Sequence, residues 1–272
     1  MVETSIYQQR CLNKMNDLRS RLYVSTFTEN SIQNIRDYGL GMEINHTCIS
    51  ENLDSDKREE LIDEIKKDIE KSEAKMIVMH GPFTEIHPAA IDYKVRELGM
   101  KRLNEAYEVA KNLGVKKMIV HTGWLPFIYF KEYQAEKGKE FWEKFMADKP
   151  SDFEIAIENV LEDEPYMIRD MMEKIEDERI KLCLDIGHAN AMTSKEYSIE
   201  DWIKVLSPWI SHLHIHNNNG KEDSHRALDE GTMNMNEVFD LIERYVDDYA
   251  TITIEAKDSG RCLEWLMDNR YI

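Results

Sequence analysis

The sequence is sparing in features that would each mark a different class of protein. Only four cysteines occur in 272 residues, Cys11, Cys48, Cys183 and Cys262, and no two form a CxxC pair. Thiols so far apart argue for reduced side chains and against a disulfide framework or a zinc knuckle. No apolar run approaches the roughly 18–20 residues that a bilayer-spanning helix needs, so no membrane association is expected. The opening segment, MVETSIYQQRCLNKMNDLRS, has no apolar core of the kind a secretory leader carries. A cytoplasmic protein is expected. No Ser/Gly-rich linker or low-complexity tract divides the chain. Residues 1–20 read as an N-terminal extension and 21–272 as one domain.

Positive charge is scarce as well. Lys and Arg number 35 against 53 Asp and Glu, a net charge of -18, with an isoelectric point near 5.0. A field of that sign repels polyanions and disfavours broad binding of duplex DNA, while leaving room for a local basic pocket. A small-molecule substrate fits it better. Composition does not decide whether the chain forms an oligomer.

What remains is an ordinary globular balance, 42% hydrophobic and 32% charged, arranged as an alternation. Short apolar segments at 22–25, 41–45, 76–80, 117–121, 154–158, 181–185, 211–216 and 251–255 read as strands. Amphipathic stretches at 57–72, 93–113, 166–176, 198–206 and 236–245 read as helices. Gly114 is placed to stop the second of these. The 124–152 segment, with Pro126, Gly138 and Pro150, reads as a long loop plus a helix at the barrel mouth. Eight strands interleaved with helices predict a single-domain (β/α)8 TIM barrel.

Six of the strands end on a residue type that binds metal: His80, His121, Glu158, Asp185, His214 and Glu255. Side chains alternate faces along a strand, so an inward ligand predicts outward neighbours one and three positions earlier. Those neighbours are Met79/Ile77, Val120/Met118, Ile157/Ile155, Leu184/Leu182, Leu213/Ser211 and Ile254/Ile252, apolar except Ser211. The polar residues therefore point into the barrel at its C-terminal rim, where barrel enzymes place their chemistry. One such histidine is more often a hydrogen-bonded structural group, and one such aspartate is often a helix cap. The set carries the argument, because converging carboxylates repel unless a cation neutralises them. His188 and the Asp223/His225 pair extend the set. Imidazoles with carboxylates suit Zn²⁺, Mn²⁺, Fe²⁺ or Co²⁺, with Zn²⁺ or Mn²⁺ expected, in a site for one to three ions.

These residues sit in an ordered series: His-Gly-Pro-Phe (80–83), His-Thr-Gly (121–123), Ile-Glu-Asn (157–159), Asp-Ile-Gly-His (185–188), His-Ile-His-Asn (214–217), Asp-Ser-His…Glu-Gly (223–231) and Ile-Glu-Ala (254–256). The series, from about Leu22 to Glu255, resembles the xylose isomerase-like TIM-barrel superfamily, which joins sugar isomerases and epimerases with endonuclease IV-type enzymes. Resemblance to the epimerase branch implies one metal held by Glu158, Asp185, His214 and Glu255. Resemblance to the endonuclease branch implies a three-zinc site on those four plus His80, His121, His188, Asp223 and His225. Phe83 departs from that branch, which usually has a tyrosine there.

Two chemistries follow. In a sugar or sugar phosphate isomerase or epimerase, the metal polarises a carbonyl while Glu158 and Glu255 move the adjacent proton, with His188 on a substrate hydroxyl. This reading is preferred on charge. The alternative is zinc-dependent phosphodiester hydrolysis, with Glu158 bridging ions. A catalytically idle, ligand-binding barrel is the third class. Trp124 and His216 are expected to contact substrate, and Arg226 and Lys257 a phosphate. Lys221 reads as solvated surface charge, and His212 as a structural residue deeper in the barrel.

Overall fold

The structure, a computed structural model, describes residues 18–194 and 196–272. Residues 1–17, which include Cys11 and nearly all of the expected extension, lie outside the described residues. Strands β1 (Leu22–Ser25), β2 (Gly41–Ile44), β3 (Ile77–His80), β4 (Lys117–His121), β5 (Glu154–Glu158), β6 (Ile180–Asp185), β7 (Ile210–Ile215) and β8 (Thr251–Ile254) pair in chain order. Every pair is parallel, and β8 returns to β1 to close the barrel. Helices occupy the crossovers: α1 (Ser31–Tyr38), α2 (Arg58–Ser72), α3 (Tyr93–Leu113), α4 (Lys131–Met146), α5 (Tyr166–Met172), α6 (Ile186–Met192), α7 (Ile199–Leu206) and α8 (Met235–Tyr245). A final helix, α9 (Ser259–Asp268), follows β8. This is the expected (β/α)8 barrel. Among the described residues, no helix is long and apolar enough to cross a membrane.

Strand alternation divides the interior in two. Outward residues such as Met79, Val120, Ile157, Leu184, Leu213 and Ile254 are fully buried against the helices in one continuous core. Each such side chain contributes about 1.5–3 kcal/mol of burial. Inward residues Tyr23, Val78, Ile119, Ala156 and Cys183 form a separate small cluster that fills the middle of the barrel. Gly41 belongs to this inner packing, since a Cβ there would overlap the Tyr23 ring. The rim residues stand one strand period above this plug, so the barrel is solid beneath them.

The polar exception among the outward neighbours has a structural cause. The β6–β7 register shifts between Leu182 and Cys183, pairing Leu182 with Ile210 and Cys183 with His212. Ser211 is the extra residue of a bulge. Ile210 takes the outward place instead, and the Ser211 hydroxyl donates to Glu154 at 2.6 Å.

Local chemistry ends the helices where expected. Gly114 adopts a left-handed φ of 71° and caps α3 through its N–H to Ala110 O. Ser198 and Asp201 form a capping box on α7. The 124–152 segment contains α4, as read. Helices α1, α6 and α9 were not anticipated; α1 and α6 have only 8 and 7 residues.

Candidate metal centre

Glu158, at the end of β5, is the hub of the rim. Its Oε2 lies 3.1 Å from His80 Nε2 and 3.4 Å from His121 Nε2. Its Oε1 lies 3.2 Å from His188 Nδ1 and 3.3 Å from His214 Nδ1. Asp185 also faces two ways, with Oδ2 3.8 Å from His214 Nδ1 and Oδ1 3.3 Å from His216 Nε2. Glu255 Oε2 approaches His214 Nδ1 at 3.5 Å. Asp223 Oδ2 stands 3.2 Å from both His188 Nε2 and His225 Nε2.

Above a group formed by Cys183, His212 and His214, the donor atoms at the rim fall into three adjoining groups, each with its ligating atoms within 4.8 Å of one another. They are His80/His121/Glu158, then Glu158/Asp185/His214/Glu255, then His188/His216/Asp223/His225. The structure thus brings together all nine positions expected as ligands. It adds His216, which was expected to touch substrate near the mouth. That ring is fully buried in the third group and stacks on His225 at 3.9 Å. Gly187 makes the placement fit, because a Cβ there would overlap the His216 ring.

Hydrogen bonds behind the histidines aim them. His80, His188 and His225 direct Nδ1 at the carbonyls of Gly81, Asn159 and Glu255, at 2.8, 2.9 and 2.8 Å. A donor Nδ1–H aims Nε2 at the carboxylates, where it carries a proton that a bound ion would replace. His214 is reversed: its Nε2 meets Glu43 at 3.1 Å and its Nδ1 faces the cluster. Sequence reasoning missed Glu43. It is wholly buried on β2 beneath the rim and also accepts from Thr253 Oγ1 at 2.6 Å. Its signal was there to read, as a charged residue between outward Met42 and Ile44. His212 lies deeper in the barrel, with Nδ1 2.5 Å from Thr251 Oγ1 and Nε2 2.9 Å from Thr253 Oγ1. Asp185 is both cap and rim residue, since its Oδ1 accepts from His188 N at 2.6 Å.

The third group depends on a loop. Residues 217–234 fold back over the mouth, with Asn217 and Arg226 paired through their main chains. The buried Asn217 side chain donates to Leu228 O at 2.8 Å and Met233 O at 3.1 Å. Asn218 ties the same loop to α6 through Gly187 O at 2.7 Å. His225 has a left-handed φ of 48°, which turns its ring inward.

The electrostatics describe a cluster whose imidazoles carry the balancing charge. Burial alone would raise the Glu158 carboxyl, but His214 and His121 hold it well below its usual range. Burial would lower His188 and His214, yet neighbouring carboxylates, and for His214 the Cys183 thiol first, hold both well above theirs. His225 is likewise opposed by burial and pushed up to about 9, chiefly by Asp223. Burial and the surrounding carboxylates raise Glu255 to about 7, against the pull of His214.

The donor set fits divalent cations. Asp185 Oδ2, His214 Nδ1 and both His216 ring nitrogens are buried without a hydrogen-bond partner. Each such orphan costs about 1–3 kcal/mol, which a cation among them would relieve.

The other expected substrate contacts lie outside these groups. Trp124 is buried, with its indole N–H donating to Tyr129 O at 3.0 Å. Arg226 and Lys257 are exposed on the loops beside His225 and Glu255, and make no ion pair among the described residues. Phe83 stacks on His121 at 4.5 Å, an apolar cover on the first group.

Comparison with known proteins agrees with this architecture. The xylose isomerase-like TIM barrel family model matches residues 32–268. An uncharacterized protein of Methanocaldococcus jannaschii is 28% identical over 191 residues, 67% of this chain and 64% of its own length. The chain thus spans less than two thirds of that relative. A probable endonuclease 4 of Mycobacterium ulcerans is 26% identical over 70% of this chain and 77% of its own. The crystal structure of a D-tagatose 3-epimerase-like protein superposes with a TM-score of 0.73 at 22% identity, covering 92% of this chain and 96% of that one.

Proposed function

The chain belongs to the xylose isomerase-like TIM-barrel family, and from that premise we propose that it is a divalent-metal-dependent hydrolase of phosphoesters with more than one ion. The observation that carries this reading is Glu158, which divides its two oxygens between two ligand groups. A one-ion epimerase needs four ligands. It leaves His80, His121, Asp223 and His225 without a task, although each lies in a group of converging donor atoms. When bound, such ions lower the pKa of water and stabilise charge on a phosphoester oxygen.

The chain's own residues divide the remaining work. Glu158 and Asp185 bridge neighbouring groups, and the histidines hold Nε2 or Nδ1 toward them. Glu255, whose carboxyl is raised to about 7 by burial and neighbouring carboxylates, gives up its proton when its oxygen takes an ion in its group. Arg226 and Lys257 offer exposed positive charge at the edge of an otherwise negative molecule. A net charge of -18 favours a small phosphoester over duplex DNA.

A second reading has its own support. Glu158 and Glu255 approach His214 Nδ1 at 3.3 and 3.5 Å, a pair of carboxylates around one position. That arrangement suits proton transfer next to a carbonyl in a sugar-like substrate. Metal analysis of protein purified without added metal separates the two, alongside hydrolysis of bis(4-nitrophenyl) phosphate and of abasic-site DNA. Two or three ions per chain with cleavage are expected. One ion, no cleavage and solvent deuterium entering a ketose or aldose would establish the epimerase instead.

A further inference from the structure

The rim carries one feature that the metal groups do not use. Between β4 and α4 the chain presents Phe127, Ile128 and Phe130, all strongly exposed and Phe127 completely so. With Trp124, Leu161 and Met192 they line a cavity of about 620 Å³, within the range of small-molecule sites. Exposed aromatics grouped around a concavity mark a binding surface rather than ordinary surface scatter.

The loop holds this shape by construction. Trp124 is pinned by its indole N–H to Tyr129 O, and Gln134 Nε2 donates to Thr122 O at 3.0 Å. The main-chain N–H groups of Ile128 and Tyr129 both donate to Leu125 O at 3.2 Å. Phe127 adopts a left-handed φ of 66°, a conformation costing an L-residue roughly 1–2 kcal/mol. Strain and apolar exposure at one residue are two costs that ordinary packing would have removed.

Three walls of the cavity continue segments that carry rim ligands. Trp124 lies three residues beyond His121, Leu161 three beyond Glu158, and Met192 one helical turn beyond His188 on α6. Its charge character narrows the occupant. Lys131 is already matched by Asp163 at 2.5 Å and Glu164 at 3.2 Å, so the cavity offers no spare cation to a phosphate or carboxylate.

We infer that this cavity receives an uncharged aromatic or aliphatic group of the substrate, whose polar end reaches the metal groups. The substrate is then an aryl or alkyl conjugate rather than a bare sugar or a bare phosphate. The inference rests on the metal reading for the placement of the polar end.

Two probes with one metal-binding head test it on the zinc-loaded protein: acetohydroxamate and 4-phenylbutanohydroxamate, titrated by calorimetry. The phenylalkyl probe is expected to bind at least about tenfold tighter, since its ring leaves water. That advantage should vanish in Phe130→Ser and Leu161→Asp, while acetohydroxamate affinity stays at the wild-type value. Equal affinities in the wild type, or an advantage that survives both substitutions, overturn the inference. If acetohydroxamate itself does not bind, the metal reading fails, and 4-phenylbutanol followed by saturation-transfer NMR examines the cavity alone. A transfer signal that disappears in Leu161→Asp supports the apolar site, and no signal in the wild type overturns it. Sedimentation completes the test: a dimer dissolved by Phe130→Ser would make this face a subunit interface and overturn the inference.

Discussion

The two ends of the ligand cluster are built by different means. Glu158, Asp185, His214 and Glu255 rise from the ends of neighbouring strands and rest on a solid plug. His214 is steadied from below by the buried Glu43. At the other end, His188 comes from α6 and His216 directly follows β7, but Asp223 and His225 arrive on a loop. That loop is folded back by Asn217 and Asn218. Strand-borne ligands inherit the rigidity of the barrel. Loop-borne ligands depend on a few hydrogen bonds, so the outer group is the part whose occupancy can be lost alone.

Glu158 joins the two halves, so its removal should have the largest effect. Glu158→Gln keeps the volume and removes the charge that four histidines face. Turnover is expected to fall by about 10³-fold or more, a size typical of a lost catalytic group, with the thermal transition retained. An active variant would remove Glu158 from the proposed centre.

Asn217→Ala should separate the halves. The buried carbonyls of Leu228 and Met233 lose their donor, at a cost of about 1–3 kcal/mol. Plasma emission spectrometry should find the outer ion missing and the deep ion retained. Loss of all metal together would mean that the halves form one unit.

Glu43→Gln tests the deep half from beneath. Partners behind a ligand typically contribute about 10–100-fold in metal affinity, and a chelator competition should find that loss with zinc stoichiometry unchanged. Unaltered affinity would reduce Glu43 to a packing role.

The mildest probe is pH. His225 titrates at about 9, above the ordinary histidine value, so below pH 9 a proton occupies the nitrogen that an ion needs. Affinity at the outer group should rise by at least about tenfold per unit from pH 7 to 9, His225 giving up one proton for each ion bound and His188, held above its usual range in the same group, adding to the slope. Glu255, raised to about 7, makes the deep group improve up to about pH 7 and then level off on its account. Identical slopes for both halves would break the distinction.

Much of this was legible in the chain. A strand's alternation is local, so the rim residues and their outward partners could be assigned without knowing the fold's closure. Helices of adequate length announced themselves by period, as α3 did. The misses share a cause. Ser211 looked like an unexplained exception because a bulge is defined by the neighbouring strand. His216 was placed near substrate because the loop's return over the mouth was not visible. Glu43 lies on a strand with no rim ligand of its own, and only its contact across the barrel gives it a role.

By itself, then, the sequence determined the eightfold alternation, the inward direction of the strand-end ligands and the family to which they belong. These follow from backbone geometry and side-chain pattern over a few residues. Only the tertiary structure decided that Glu158 faces both ways, that Asp223, His216 and His225 share a group, and that an apolar cavity flanks them. Those facts depend on where a loop closes and which strands stand opposite, and contacts between residues far apart in the chain set both.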